Sequence, residues 1–147
     1  MISVVIPAYN EVDCLRPMAV EVLDTMRGMG QEFEILFVDD GSSDGTRELM
    51  RRLSEEHAEV HFIGFKHNCG QTAAMAAGFK QARGDVVVTL DADMQNDPRD
   101  IPKLLEKLDE YDVVCGWRQK RHDNLVRRVS SKVANYVRNK LSDEEIV

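Results

Sequence analysis

The sequence predicts an α/β domain, with a mostly parallel sheet flanked by helices. Three observations carry this expectation. Short apolar runs alternate with longer amphipathic ones, the order of repeated βαβ units with right-handed crossovers. Runs such as EILFV (34–38) and VVVTL (86–90) are apolar at nearly every position, as in strands covered on both faces. Glycines and polar residues gather just after these runs, at the strand ends where open α/β sheets bind ligands.

Taken in order, Ile2–Ile6 reads as a strand, and Leu15–Met29 as a helix ended near Gly28 and Gly30. Glu34–Val38 reads as a strand, Thr46–Glu56 as a helix and Val60–Gly64 as a strand. Gln71–Ala82 reads as a helix stopped by Gly84, followed by a strand at Val86–Leu90. Ile101–Leu108 carries Pro102 in its first turn, where proline is tolerated, so it reads as a helix. Val113–Gly116 reads as a fifth strand and Leu125–Leu141 as a last helix. Its apolar stripe is Val126, Val129, Val133 and Val137, beside a polar stripe of Arg127, Ser131, Asn135 and Arg138. With no repeat or linker in view, residues 1–147 are expected to form one domain.

The bulk numbers narrow the class. Hydrophobic residues make up 43% and charged residues 31%, which fits a soluble globular chain and not a disordered one. No run approaches the ~20 apolar residues of a membrane span, and no basic leader precedes ISVVIP. Cys14, Cys69 and Cys115 are sparse and odd in number, fitting reduced thiols of a cytoplasmic protein. The net charge of −7 is uneven: residues 118–140 hold eight Lys/Arg and one acid, net +7, leaving 11 basic against 25 acidic residues, net −14. A basic segment on an acidic body suggests an anionic partner, phosphate or a membrane surface, and a solvated basic helix explains the charge equally well.

The strand ends supply the candidate chemistry. In LDADMQNDPRD (90–100), four aspartates follow an apolar strand. If the strand geometry persists, Asp91 and Asp93 point the same way, and with the oxygen of Gln95 they make a site suited to Mg²⁺ or Mn²⁺. A solvated turn is the plainer reading of the same residues. Asp97 before Pro98 reads as a turn residue and Asp100 as the N-cap of the helix from Ile101. Asp39 reads as turn-making with Gly41 and Ser42, whereas Asp40 and Val38 could hold a flat base. Asn68-Cys69-Gly70-Gln71 opens a helix, whose free amides favour an anion or are simply capped. Arg127 and Ser131, one turn apart, can reach one phosphate. Phosphate-loop, dinucleotide and zinc signatures are absent from the sequence.

VVIPAYNE, VDDGSSDGT, HNCGQTAAMAAGFKQARGD and LDADMQNDP, in this order, resemble the nucleotide-sugar domain of family 2 glycosyltransferases. DADMQ-x-D-P, YDVVCGWR and RRVSSKVAN are most similar to the polyprenyl-phosphate glycosyltransferases, which include dolichyl-phosphate mannose synthase and its bacterial relatives. The resemblance implies a GT-A (Rossmann-like) fold, a divalent metal and an inverting transfer. It implies that Pro7, Tyr9, Glu11, Val38 and Asp40 hold the nucleotide. Asp91, Ala92 and Asp93 would hold ribose and diphosphate, with Asp91, Asp93 and Gln95 as metal ligands. Arg118, Arg127 and Ser131 would take phosphate, including the acceptor's, and Asp91, Asp93 and Arg118 would carry catalysis. The expected partners are a nucleotide-sugar and a polyprenyl phosphate at the inner face of the membrane, possible self-association, and no nucleic acid. A glycan or protein acceptor, or a donor-binding module without activity, are the competing readings. Family members continue further, so the chain is expected to be the N-terminal part of a longer domain.

Overall fold

Four parallel strands build one sheet in the computed structural model, which describes residues 1–116. They are β1 (Ile2–Ala8), β2 (Phe33–Asp39), β3 (Val60–Gly64) and β4 (Val86–Thr89), in the order β3-β2-β1-β4. The connecting helices are α1 (Val12–Gly28), α2 (Thr46–Glu56) and α3 (Gln71–Gln81), and a 3-10 turn at Pro98–Asp100 leads into α4 (Ile101–Leu105).

The period of two along β1 explains the layering. Ile2, Val4, Ile6 and Ala8 pack with Leu15, Met18, Val22 and Met26 of α1 and with Met50 and Leu53 of α2. Val5 faces the other way and packs with Val38 and Ala74 under α3. Both faces of the central strands are thus covered, and β1 is buried at all seven positions. Each Val or Ile so buried contributes roughly 1.5–3 kcal/mol. Helix α3 reaches the sheet closely because Gly78 lacks a side chain: a Cβ there would lie 2.3 Å from Val5 Cγ1.

Several boundaries differ from the sequence expectation. Helix α1 begins at Val12, not Leu15, because its first amides find partners outside the helix. Glu11 N–H donates to Thr46 Oγ1 at 2.9 Å and Val12 N–H to Asp44 Oδ2 at 3.2 Å. Helix α4 is shorter than Ile101–Leu108, because residues 106–110 form turns. Asp100 is not a side-chain cap. The preceding 3-10 turn holds it at φ −83°, ψ −13°, helical values from which its carboxylate cannot fold back, and it pairs with Lys103 at 2.6 Å instead. Asp97 is the turn residue, accepting from Arg99 N–H at 3.0 Å.

Val113–Gly116 is not a strand. A short apolar run becomes a strand only beside a partner backbone, and this one has none among the described residues; Val113 is 78% exposed. Consequently β4 is an edge strand among the described residues, half-buried in alternation and not covered on both faces as VVVTL suggested. The expected helix 125–141, with its valine and polar stripes, lies outside the described residues.

Candidate functional site

The sheet opens where strand order changes direction, between β1 and β4. Leu90 N–H donates to Val5 O at 3.2 Å, and beyond that bond the chain leaves β1. β1 itself continues to Ala8 beside β2, with Asp40 N–H donating to Ala8 O at 2.9 Å. Neighbouring residues of a parallel strand address opposite neighbours, so Pro7, like Val5, faces the side that β4 has left. Proline's missing N–H therefore costs no ladder bond in a strand that is central elsewhere. The divergence makes a crevice at a topological switch point, beyond the carboxyl ends of the strands.

An open cleft of about 590 Å³ occupies this place, within the usual range of small-ligand sites. Pro7, Ala8, Tyr9 and Glu11 line it from β1, and Asp40 from β2. Asn68, Gly70, Gln71 and Ala74 line it from the start of α3, and Asp91, Ala92 and Asp93 from beyond β4. Seven of the eight residues proposed from the sequence for the nucleotide-sugar thus converge. The eighth, Val38, does not: it shares a face of the strand with Asp40 but lies two residues deeper, fully buried beneath α3 against Val5 and Ala74. Gln95 is exposed and outside the cleft lining; its N–H donates to Asp93 Oδ1 at 3.0 Å. Arg118, Arg127 and Ser131 lie outside the described residues.

Asp91 and Asp93 share the cleft for a different reason than expected. The strand geometry ends at Thr89, and a turn presents both. Met94, at φ 60°, carries the chain away in the left-handed region that long side chains seldom adopt. Asp91 Oδ1 accepts from Gln71 Nε2 at 2.9 Å. Neither aspartate joins an ion pair among the described residues.

The two acids ending β2 divide their work. Asp39 is fully buried and accepts from Ser42 N–H at 2.9 Å and Arg47 Nε at 2.6 Å, so its charge is paired inside the loop. Asp40 accepts from Cys69 N–H at 2.7 Å and Gly70 N–H at 2.8 Å. The anion at the start of α3 is therefore the protein's own carboxylate. Gly41 makes the approach possible, since a Cβ there would lie 2.4 Å from the carbonyl carbon of His67. The turn after β1 is clasped to the loop after β2: Asn10 N–H donates to Ser42 Oγ and Ser43 N–H to Asn10 Oδ1, each at 2.9 Å.

The described lining is acidic. Glu11, Asp40, Asp91 and Asp93 belong to it, and among the described residues no Lys or Arg does. In the first turn of α1 the Cys14 thiol is pushed up by burial first and then by Glu11, Asp13 and Asp93. Among the described residues no three His, Cys, Asp or Glu side chains converge into a complete metal cage. The set still fits Mg²⁺ or Mn²⁺, which take one or two carboxylates and complete their shell with water and substrate phosphates. Sequence reading placed Gln71 at the opening of a helix and left its side chain without a role. The signal was its position, the first helical residue after a strand end.

The family model of glycosyl transferase family 2 matches residues 3–145. The undecaprenyl-phosphate 4-deoxy-4-formamido-L-arabinose transferase of Salmonella typhimurium is 46% identical over 137 residues, covering 91% of this chain and 42% of that protein. The chain thus spans about two fifths of the length of the curated relatives it matches. Among solved structures, a mannosyltransferase from Pyrobaculum calidifontis in complex with GDP-Man and Mn²⁺ aligns with a TM-score of 0.53 at 29% identity, over 67% of this chain and 29% of that one. Mannosyl-3-phosphoglycerate synthase from Rubrobacter xylanophilus aligns at 0.61 over 75% of this chain and 36% of that one; at 24% identity this is likeness of fold.

Proposed function

Because the chain belongs to glycosyl transferase family 2, we propose that its cleft binds a nucleotide-sugar and that the sugar passes to a polyprenyl phosphate. The fold is of the GT-A type, a parallel α/β sheet flanked by helices. The observation that carries the reading is the convergence of Pro7, Tyr9, Glu11, Asp40, Asp91, Ala92 and Asp93 on one crevice at the strand-order switch. The Salmonella relative, named for a transfer to undecaprenyl phosphate, supports the acceptor class. The Pyrobaculum complex with GDP-Man and Mn²⁺ supports donor and metal.

In this reading residues 1–147 are a donor-binding domain. Tyr9, 47% exposed on a clasped turn, offers a ring face to the base, and Glu11 an acceptor. Asp91 and Asp93 would hold a divalent ion at the diphosphate end, with Gln95 close by in sequence. An oxygen of the acceptor phosphate attacks the anomeric carbon. The bond from that carbon to the diphosphate oxygen breaks on the opposite face, its electron pair leaves with the nucleoside diphosphate, and the configuration inverts. The acceptor phosphate has a second pKa near ~6 and is mostly dianionic at neutral pH, so positioning matters more than a general base. A bound Mg²⁺ or Mn²⁺ neutralises charge developing on the leaving diphosphate. Arg118, Arg127 and Ser131 are our candidates for the acceptor phosphate. We place the encounter with the lipid at the membrane surface, as the relative named for transfer to undecaprenyl phosphate supports.

Calorimetric titration of UDP and GDP, with Mn²⁺ or with EDTA, tests the reading. One of the two should bind more tightly with Mn²⁺, and Asp93→Ala should remove that gain, about tenfold or more, while keeping the wild-type melting temperature. Equal binding in EDTA, or by the variant, refutes the metal assignment. Failure of both nucleotides to bind refutes the donor reading.

A further inference from the structure

We propose that Gln71 is a positioning residue for Asp91, set in place by Asp40; the inference rests on the metal–nucleotide reading of the cleft. The three residues come from separate elements. Asp40 ends β2, Gln71 begins α3, and Asp91 follows β4. In the sheet β1 lies between β2 and β4, so the connection Asp40–α3–Gln71–Asp91 bridges over the end of β1, where the cleft opens.

Each joint of the bridge is a hydrogen bond. Helix α3 has no local side-chain cap: Gly70 precedes it at φ 92°. The two residues that lead into it are held from a distance, by Asp40 on Cys69 N–H and Gly70 N–H. Two bonds to one carboxylate fix the position and direction of the helix start against the sheet. The next residue is Gln71, whose Nε2 donates to Asp91 Oδ1 at 2.9 Å. An exposed glutamine on a free helix end would sample many rotamers, whereas one on an anchored end delivers its donor to a fixed point.

The choice of glutamine has a chemical reason. A carboxylate that binds a hard cation must be oriented and must keep its charge. Gln71 donates one neutral N–H, which occupies a lone pair of Oδ1 and leaves the charge and Oδ2 available. A lysine or arginine there would neutralise Asp91 and compete with the cation. Outer partners of this kind typically change metal affinity 10–100-fold.

The test has two arms on the whole chain. In the first, Gln71→Met keeps length and helix propensity but removes the donor. The ratio of UDP or GDP affinity with Mn²⁺ to that without should fall by about tenfold, and Gln71→Ala should match it. A merely structural role would move both affinities together and leave the ratio. In the second, the Gln71 side-chain amide is followed by NMR in the metal-free protein, and Asp91→Ala should shift it toward the position of a solvated amide. A wild-type ratio above one that Gln71→Met leaves intact overturns the inference alone, and so does an amide resonance indifferent to Asp91→Ala. A wild-type ratio of one overturns the metal reading and the inference with it.

Discussion

Asp40 is nearly inaccessible, and among the described residues no Lys or Arg pairs with its carboxylate. Two short bonds from backbone amides make this tolerable, because oriented amides at a helix start act as a partial positive charge. Replacing Asp40 by alanine strands both amides in a part-buried place. At about 1–3 kcal/mol for each of the two orphaned donors, Asp40→Ala should destabilise the domain by about 2–6 kcal/mol in a denaturant titration. A loss below about 0.5 kcal/mol, the range of an ordinary surface change, would show that water replaces the carboxylate. The identity of the cleft acids was legible in the sequence because each ends an apolar run. Their partners were not: Asp40 meets residues 29 and 30 positions away. Val38 shares the face of Asp40, and what removes it from the lining is depth: α3 covers it, a contact that the strand pattern alone does not record.

Elements bounded by local signals were read accurately, and α2 and β3 have the ends expected of them. Elements bounded by tertiary contacts were not. The first turn of α1 depends on Thr46 and Asp44, 35 and 32 positions away, and no pattern near Val12 reveals them. The run at 113–116 has strand composition but lacks a neighbour among the described residues, a condition that composition does not record. Asp44 joins the two loops, accepting from Val12 N–H, Thr46 N–H and Thr46 Oγ1. Burial works against its ionised form, but the Thr46 hydroxyl and the amides of Thr46 and Val12 outweigh this and hold the carboxyl below its ordinary value. A carboxyl depressed in the folded state contributes stability above its unfolded pKa, and that contribution is lost as pH falls through the folded one. The gap in denaturation midpoint between wild type and Asp44→Ala should therefore be widest near neutrality and narrow in acid below about pH 4. A gap independent of pH would mean that the loop is held by other bonds.

For the whole molecule, the sheet order decides where chemistry can occur. With β1 between β2 and β4, the crevice lies beside β1, where, among the described residues, the chain that built the sheet toward β3 crosses back to lay β4 on the opposite edge. The acidic lining collects there because three strands end there, each in a polar turn. The positive counterpart, the Lys/Arg of residues 118–140, was visible in the sequence as a charge block, but its place in the fold lies outside the described residues. The clasp between the turns after β1 and β2 has a further consequence, which concerns time. The amides of Asn10, Glu11 and Val12 each donate to a side chain of the opposite loop. To exchange, these bonds must open, and opening all three parts the two loops and disturbs the start of α1 as well. Deuterium should therefore enter this stretch slowly in the ligand-free protein, on the schedule of the buried strands and not of a surface turn. Adding nucleotide should slow it little further, since nothing there remains to be ordered. Exchange within seconds, followed by strong protection on adding nucleotide, would show instead that the ligand itself closes the clasp.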